Sequence, residues 1–260
     1  MTDASTLEIL ARADRAAELP RLGGMARADG VAIVTEGAWA LAAVDGALQV
    51  RDLPRRHTLE RVPFVRGLVK LGVALVPLFA RGGRASRRER LLLVLLVAAP
   101  AAMSRLPHAL SVAGFAVTTL ALAAWVFRGR TLYLHGAEHR AIAAAETRTL
   151  VRTWKGEEQP SRFSPRCGTN FAALVIPVTF LLERVWIAPT ALLTPVLLPL
   201  CALALTMEVW LAIQRLPRTA ARVLLAPGLA LQRLTTREPA LEDTRVALRA
   251  VASVLEHAGV

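Results

Sequence analysis

At 260 residues the chain has room for one large domain or two modest ones. Apolar residues make up 54% of it and mean hydropathy is +0.44, more than a soluble domain of this size carries, yet Lys and Arg outnumber Asp and Glu by 32 to 20. Apolar and basic blocks must therefore be segregated along the chain, the pattern of a membrane protein with basic loops. A single Tyr and basic residues that flank apolar runs argue against nucleic acid, so the expected partner is the lipid bilayer with its anionic head groups.

Residues 1–21 form a polar tail, helical or disordered. Met1–Leu19 lacks the apolar stretch of a signal peptide and is expected in the cytoplasm. Residues 22–60 read as a small β-rich cytoplasmic domain. Val31–Val34, Trp39–Val44 and Ala47–Val50 are β-branched or alternating, and Asp45-Gly46 has the turn chemistry of a hairpin, which predicts a meander over about Gly24 to Leu53. In residues 61–90, the run Pro63–Ala80 is interrupted by Arg66 and Lys70, one helical turn apart. That spacing fits an amphipathic helix in the membrane interface, followed by a basic cluster of Arg81, Arg84, Arg87, Arg88 and Arg90.

Residues 91–222 read as a transmembrane bundle. Leu91–Met103 and Ala109–Phe127 form one apolar pair, broken at Ser104–His108; Phe171–Leu182 and Val185–Ile213 form another around Glu183-Arg184. With about four spans, the cluster at 81–90, the segment Arg128–Arg166 and the chain from Arg215 onward all fall on one side, which the positive-inside rule makes the cytoplasm. Residues 223–260 form a membrane-associated segment and a C-terminal amphipathic helix. Pro239 is expected at its first position, Glu242 and Asp243 in its first turn, and Leu241, Leu248, Val251 and Leu255 on its apolar stripe. The fold class is thus mainly α: a polytopic helical bundle with a small N-terminal β-meander.

The candidate site lies in the cytoplasmic segment 131–170. Leu132–Thr147 is Ala-rich and reads as a helix, which puts His135 and His139 one turn apart on one face, with Glu138 and Glu146 on the same side. Two histidines at this spacing suit a divalent metal, Zn above all. The order His-x-x-Glu-His is that of the inverted zinc-peptidase motif, in which the histidines hold metal and Glu is the general base. A further ligand is needed. Cys167 precedes a helix start, beside Arg162 and Arg166, which would favour its thiolate. Glu208 is a carboxylate inside an apolar span. Taken singly, each has an ordinary explanation: surface histidines that bind nothing, an inert thiol, Glu208 paired with Arg215 or Gln214, and Glu138 or Glu146 as solvated partners of Arg140, Arg148 or Arg152.

The chain resembles the YqhQ-like family of bacterial membrane proteins. The resemblance is carried by Gly23-Gly24 with Asp29-Gly30-Val31, by Pro63–Gly67, by His135–His139 with Glu146, by Arg162–Thr169, by Glu208, and by Pro227-Gly228 with Gln232–Pro239. It departs from the family at Asp29–Val34, where the family has Glu-Gly-Val followed by methionines and Arg. The resemblance implies membrane location and a metal, and implies no substrate. The expectation is a metal-dependent hydrolase acting on a membrane-associated substrate, with His135 and His139 holding metal, Cys167 or Glu208 completing the set and Glu138 catalytic. The alternatives are a non-enzymatic membrane scaffold or regulator whose His/Glu/Cys cluster is structural, and a transporter.

Overall fold

The computed structural model describes residues 2–53, 62–79, 106–126, 128–187 and 193–260, with single positions between 87 and 103. The expected basic cluster at 81–90, the apolar run Leu91–Met103 and the start of its closing turn lie for the most part outside the described residues. The fold is mainly helical with one antiparallel sheet. The chain divides into two compact units. One is built from Met1–Arg55, Phe127–Asn170 and Leu225–Val260, the other from Arg56–Val126 and Phe171–Leu224.

The first unit opens with helix α1 (Asp3–Arg15), capped where the Thr2 hydroxyl accepts from the Ser5 amide. Thr6, Ile9, Leu10 and Ala13 recur at helical spacing and are buried. The polar start of the chain is therefore a helix with one face in the core. Strands β1 (Gly23–Ala26), β2 (Gly30–Val34), β3 (Ala38–Ala43) and β4 (Leu48–Asp52) follow as an antiparallel meander in sequence order. The Asp45-Gly46 turn joins β3 to β4 as the sequence predicts. Gly46 adopts φ +88, and the Asp45 carboxylate accepts from the Ala47 amide.

The sheet is covered by α10 (Leu241–His257), which packs on β2 and β3 and on α4 (Thr131–Thr147). Val246, Leu248, Val251, Val254 and Leu255 of α10 are sealed, as are the alanines between them. A helix apolar on so much of its circumference is a core helix, so the C-terminal helix is the centre of this unit. Leu241, expected on its stripe, is 36% exposed. The helix also starts later than expected. Pro239 precedes the N-cap Ala240, whose amide donates to the Asp243 carboxylate, and Asp243 also pairs with Arg130.

Short helix α5 (Leu150–Lys155) and α1 are tied reciprocally. The Asp14 carboxylate accepts from the amides of Leu150 and Val151, and Arg148 donates to the carbonyls of Ala13 and Ala17. Each helix end thus meets a charge that complements it.

The second unit contains α2 (Val65–Phe79), α3 (His108–Val126), most of α6 (Gly168–Val185), α7 (Thr194–Ile213) and α8 (Arg218–Leu224). Helix α2 packs on α7, with Gly67 against the Met207 side chain. Glu208 accepts from the Phe64 amide at 2.9 Å and from Arg66 Nε at 2.8 Å. Its hydrogen-bonded partners are thus Arg66 and the Phe64 amide. Helix α6 runs through Glu183-Arg184, which the sequence placed at a turn; the break falls after Val185, and α7 resumes with a proline in its first turn. Among the described residues, two helices are long and apolar enough to cross a membrane, at Gly168–Val185 and Val196–Ile213. The first leaves Ile176 and Val185 more than 70% exposed.

In the first unit, α4 approaches the chain after α9 (Ala226–Thr235) so closely that a Cβ at Gly136 would lie 2.2 Å from the Arg237 carbonyl oxygen. Gly→Ala inside a helix normally stabilises by up to about 1 kcal/mol. Gly136→Ala is expected to invert that sign and cost about 1–3 kcal/mol by overpacking, whereas Gly72→Ala in α2, where nothing lies within 4 Å, keeps it. Thermal unfolding of both variants in detergent checks the contrast.

Candidate metal centre

Three segments of the first unit build the site: helix α4, the loop from Pro160 to Asn170, and the extended stretch from Thr235 to Pro239. Helix α4 supplies both histidines. His135 Nδ1 donates to the Thr235 carbonyl at 2.8 Å, and His139 Nδ1 donates to the Arg162 carbonyl at 2.6 Å. A backbone acceptor on Nδ1 fixes the tautomer in which Nε2 carries the free lone pair. His135 Nε2 turns toward Cys167. His135 Nε2 is 3.3 Å from Cys167 Sγ, and the ligating atoms of His135, His139 and Cys167 lie within 4.8 Å of one another. The rings meet edge to face, with centroids 4.5 Å apart.

His139 is 2% exposed, and its Nε2 is sealed from solvent with no hydrogen-bond partner. Such an orphaned buried acceptor is costly. Tetrahedral zinc places nitrogen and sulfur ligands about 3.3–3.6 Å apart, and small adjustments within the 4.8 Å group reach that spacing. The residues therefore fit a divalent cation of intermediate softness: two neutral imidazoles with oriented lone pairs, one thiol and one unsatisfied donor atom.

The loop bearing Cys167 is clamped by Gln232, which is fully buried. Its side chain accepts from the Ser164 amide at 2.9 Å and donates to the Ser164 carbonyl at 2.7 Å. Asn170 donates to that same carbonyl and sits against Gly228, where a Cβ would be 2.4 Å from Asn170 Oδ1. Arg140 is buried and joins the other two segments. It donates to the carbonyls of Pro160 and Pro239 and pairs with Glu238. Arg162 reaches the Thr236 carbonyl and Glu238. Sequence reasoning passed over Gln232, Gly228, Gly136 and Arg140 as site-builders. Gln232 and Gly228 stood in blocks that carried the family resemblance, but nothing in the spacing showed what they touch.

Glu138 is buried beside the pair, against β1, with Gly24 leaving room for its carboxyl. Burial pushes it up to about 8, opposed by a hydrogen bond from the Ala26 backbone. It is no solvated partner of a surface arginine. Burial, then the neighbouring His135, pushes His139 down to about 3, and burial lowers His135 as well. The arginines expected to favour a Cys167 thiolate are engaged elsewhere, Arg166 with Glu146 and Arg162 with Glu238. Burial instead pushes the thiol up to about 11, against the Thr169 hydroxyl and amide that favour the thiolate. Glu208 belongs to the second unit, held by Arg66 and Phe64 as described above.

These displaced ionisations give a pH signature in metal-free protein. Below about 6.5 the unfolded chain protonates His139 and the folded one does not, so this group makes stability rise with pH from about 3 to about 6.5. Above about 4.5 the unfolded chain ionises Glu138 and the folded one keeps its proton, so stability falls from about 4.5 to about 8. The two slopes oppose each other between about 4.5 and 6.5, leaving a net decline from about 6.5 to 8. Chemical denaturation across this range is expected to show that decline in the wild type and to lose it in Glu138→Gln.

The match to a family model covers residues 94–257, which include every segment of the His135, His139 and Cys167 cluster, while the strands of the sheet and α2 precede it. No curated protein and no solved structure matches the chain. The match is consistent with the resemblance to YqhQ-like proteins. The chain belongs to the family described as Protein of unknown function (DUF1385).

Proposed function

We propose that this is an integral membrane protein whose polar unit carries a divalent-metal centre, and that the centre is hydrolytic toward a membrane-associated substrate. One observation carries the metal reading: the sealed, unpartnered Nε2 of His139, on a residue whose ligand atom lies within 4.8 Å of those of His135 and Cys167. Zn is the favoured ion for this donor set. Glu208 is left out of the proposed ligand set because its carboxylate already accepts from Arg66 and Phe64.

Three protein ligands leave a fourth position open, the arrangement of catalytic and not structural sites. Bound there, a divalent ion supplies a Lewis acid that polarises an ester or amide carbonyl and acidifies water. The chain supplies the rest. Thr235 and Arg162 orient the imidazoles through their carbonyls, and Gln232 fixes the loop bearing Cys167. Glu138 holds a proton at its carboxyl near neutral pH and is the group placed to take or return one during hydrolysis.

The membrane reading rests on composition and on α6 and α7, the two described helices long and apolar enough to cross a membrane. We take Leu91–Met103 and α3 as two further spans, with Arg128–Arg166 and both termini in the cytoplasm by the positive-inside rule. The scaffold alternative, in which the same residues close a structural site, requires a fourth protein ligand.

Metal analysis of detergent-purified protein is expected to find about one divalent ion per chain, retained in Glu208→Gln and Glu138→Gln and lost in His135→Ala and Cys167→Ala. Metal-free wild type, purified without chelators, would sink the proposal. For topology, single cysteines introduced at Glu157 and after Val260 in a Cys201→Ser background should be blocked only by membrane-permeant thiol reagents, and one at Ile187 also by impermeant ones.

A further inference from the structure

Apart from the metal centre, the first unit holds a cavity of about 200 Å³ between the α1–β1 connection and the far end of α4. Its floor is apolar, made by Leu22 and Ala145, which are both buried. Its rim carries three guanidinium groups, Arg21, Arg148 and Arg166, against a single carboxylate, Glu146. The three cations are held differently. Arg148 is fixed from behind, its side chain donating to the carbonyls of Ala13 and Ala17 at 3.2 Å each, so its charge is immobilised at the cavity wall. Arg166 is half-exposed and paired with the equally half-exposed Glu146. Arg21 is exposed on the opposite lip.

Concentrating three guanidinium groups around one cavity is electrostatically unfavourable unless an anion joins them, and Glu146 neutralises only one. Guanidinium forks match planar or tetrahedral oxyanions, and an apolar floor strengthens the attraction by excluding water. We propose that this cavity binds a compact oxyanion, a phosphate or carboxylate group, with Glu146 as the internal anion that the ligand displaces from Arg166. Arg166 adjoins Cys167 in the chain, and Glu146 lies two helical turns beyond His139, about 10 Å along the axis. On the metal-centre reading, on which this last step rests, the cavity holds the charged end of a substrate whose reacting bond lies at the metal.

The test is calorimetric titration of detergent-purified full-length protein with inorganic phosphate. Saturable one-to-one binding is expected. Arg21→Gln and Arg166→Gln should weaken it roughly tenfold or more, since each removes a charged fork. Arg166→Lys should restore part of the loss. Glu146→Gln, which removes the competing carboxylate, should tighten it severalfold. The last sign is one that a general loss of folding cannot produce. Displacement of phosphate by vesicles containing phosphatidic acid but not by phosphatidylcholine vesicles would assign the site to a lipid head group. Undisturbed phosphate binding would assign it to a soluble phosphate ester. No saturable binding in either wild type or Glu146→Gln, or affinity unmoved by Arg21→Gln and Arg166→Gln, would overturn the proposal. Metal content, measured on the same samples, separates this failure from failure of the metal reading.

Discussion

The site depends on an extended stretch of backbone, Thr235 to Pro239, lying directly along helix α4. The Arg237 amide donates to the Leu132 carbonyl, the Thr235 carbonyl accepts a hydrogen bond from His135, and the Pro239 carbonyl accepts one from Arg140. None of these contacts forms unless the stretch comes within backbone distance of the helix, and at the point of closest approach α4 carries Gly136. A helix usually fends off its neighbours with side chains. Here one missing side chain lets the Thr235 carbonyl orient the His135 imidazole, while the Arg162 carbonyl of the neighbouring loop orients His139.

The consequence is electrostatic as well as geometric. Carbonyl acceptors hold the imidazoles in the right tautomer without adding negative charge, so the cluster stays nearly neutral while buried. Glu138 keeps its proton, His139 resists taking one, and Cys167 keeps its thiol hydrogen. The charges that surround the site, Arg140, Arg162 and Glu238, are paired among themselves at its edge. Burying neutral side chains costs far less than burying charged ones.

Much of this architecture was legible in the residues. The hairpin at Asp45-Gly46 followed from turn chemistry, and the common face of His135 and His139 followed from helical spacing. The family blocks pointed at Cys167. What could not be read were pairings that skip the local period. Arg66 and Glu208 are far apart in the chain, and nothing in either neighbourhood names the other. The burial of α10 was obscured because a helix central to a small unit and one lying on a bilayer share an apolar stripe. The turn expected at Glu183-Arg184 was misplaced for a similar reason: two charges in an apolar run look like a break, yet at the end of a helix they merely mark its last turn. The sequence chemistry of Arg162 and Arg166 implied a thiolate, but that inference needs the guanidinium groups to face the sulfur, and they face carboxylates instead.

The polar unit is assembled from three stretches of chain separated by the apolar helices, and its central helix follows every other described element in the chain. Strands β2 and β3 wait with their inner faces unpaired until α10 arrives, some two hundred residues later in synthesis, and the histidines of α4 wait for the Thr235 carbonyl. Contacts of such long sequence separation form late. The order of synthesis thus places every described apolar helix ahead of α10.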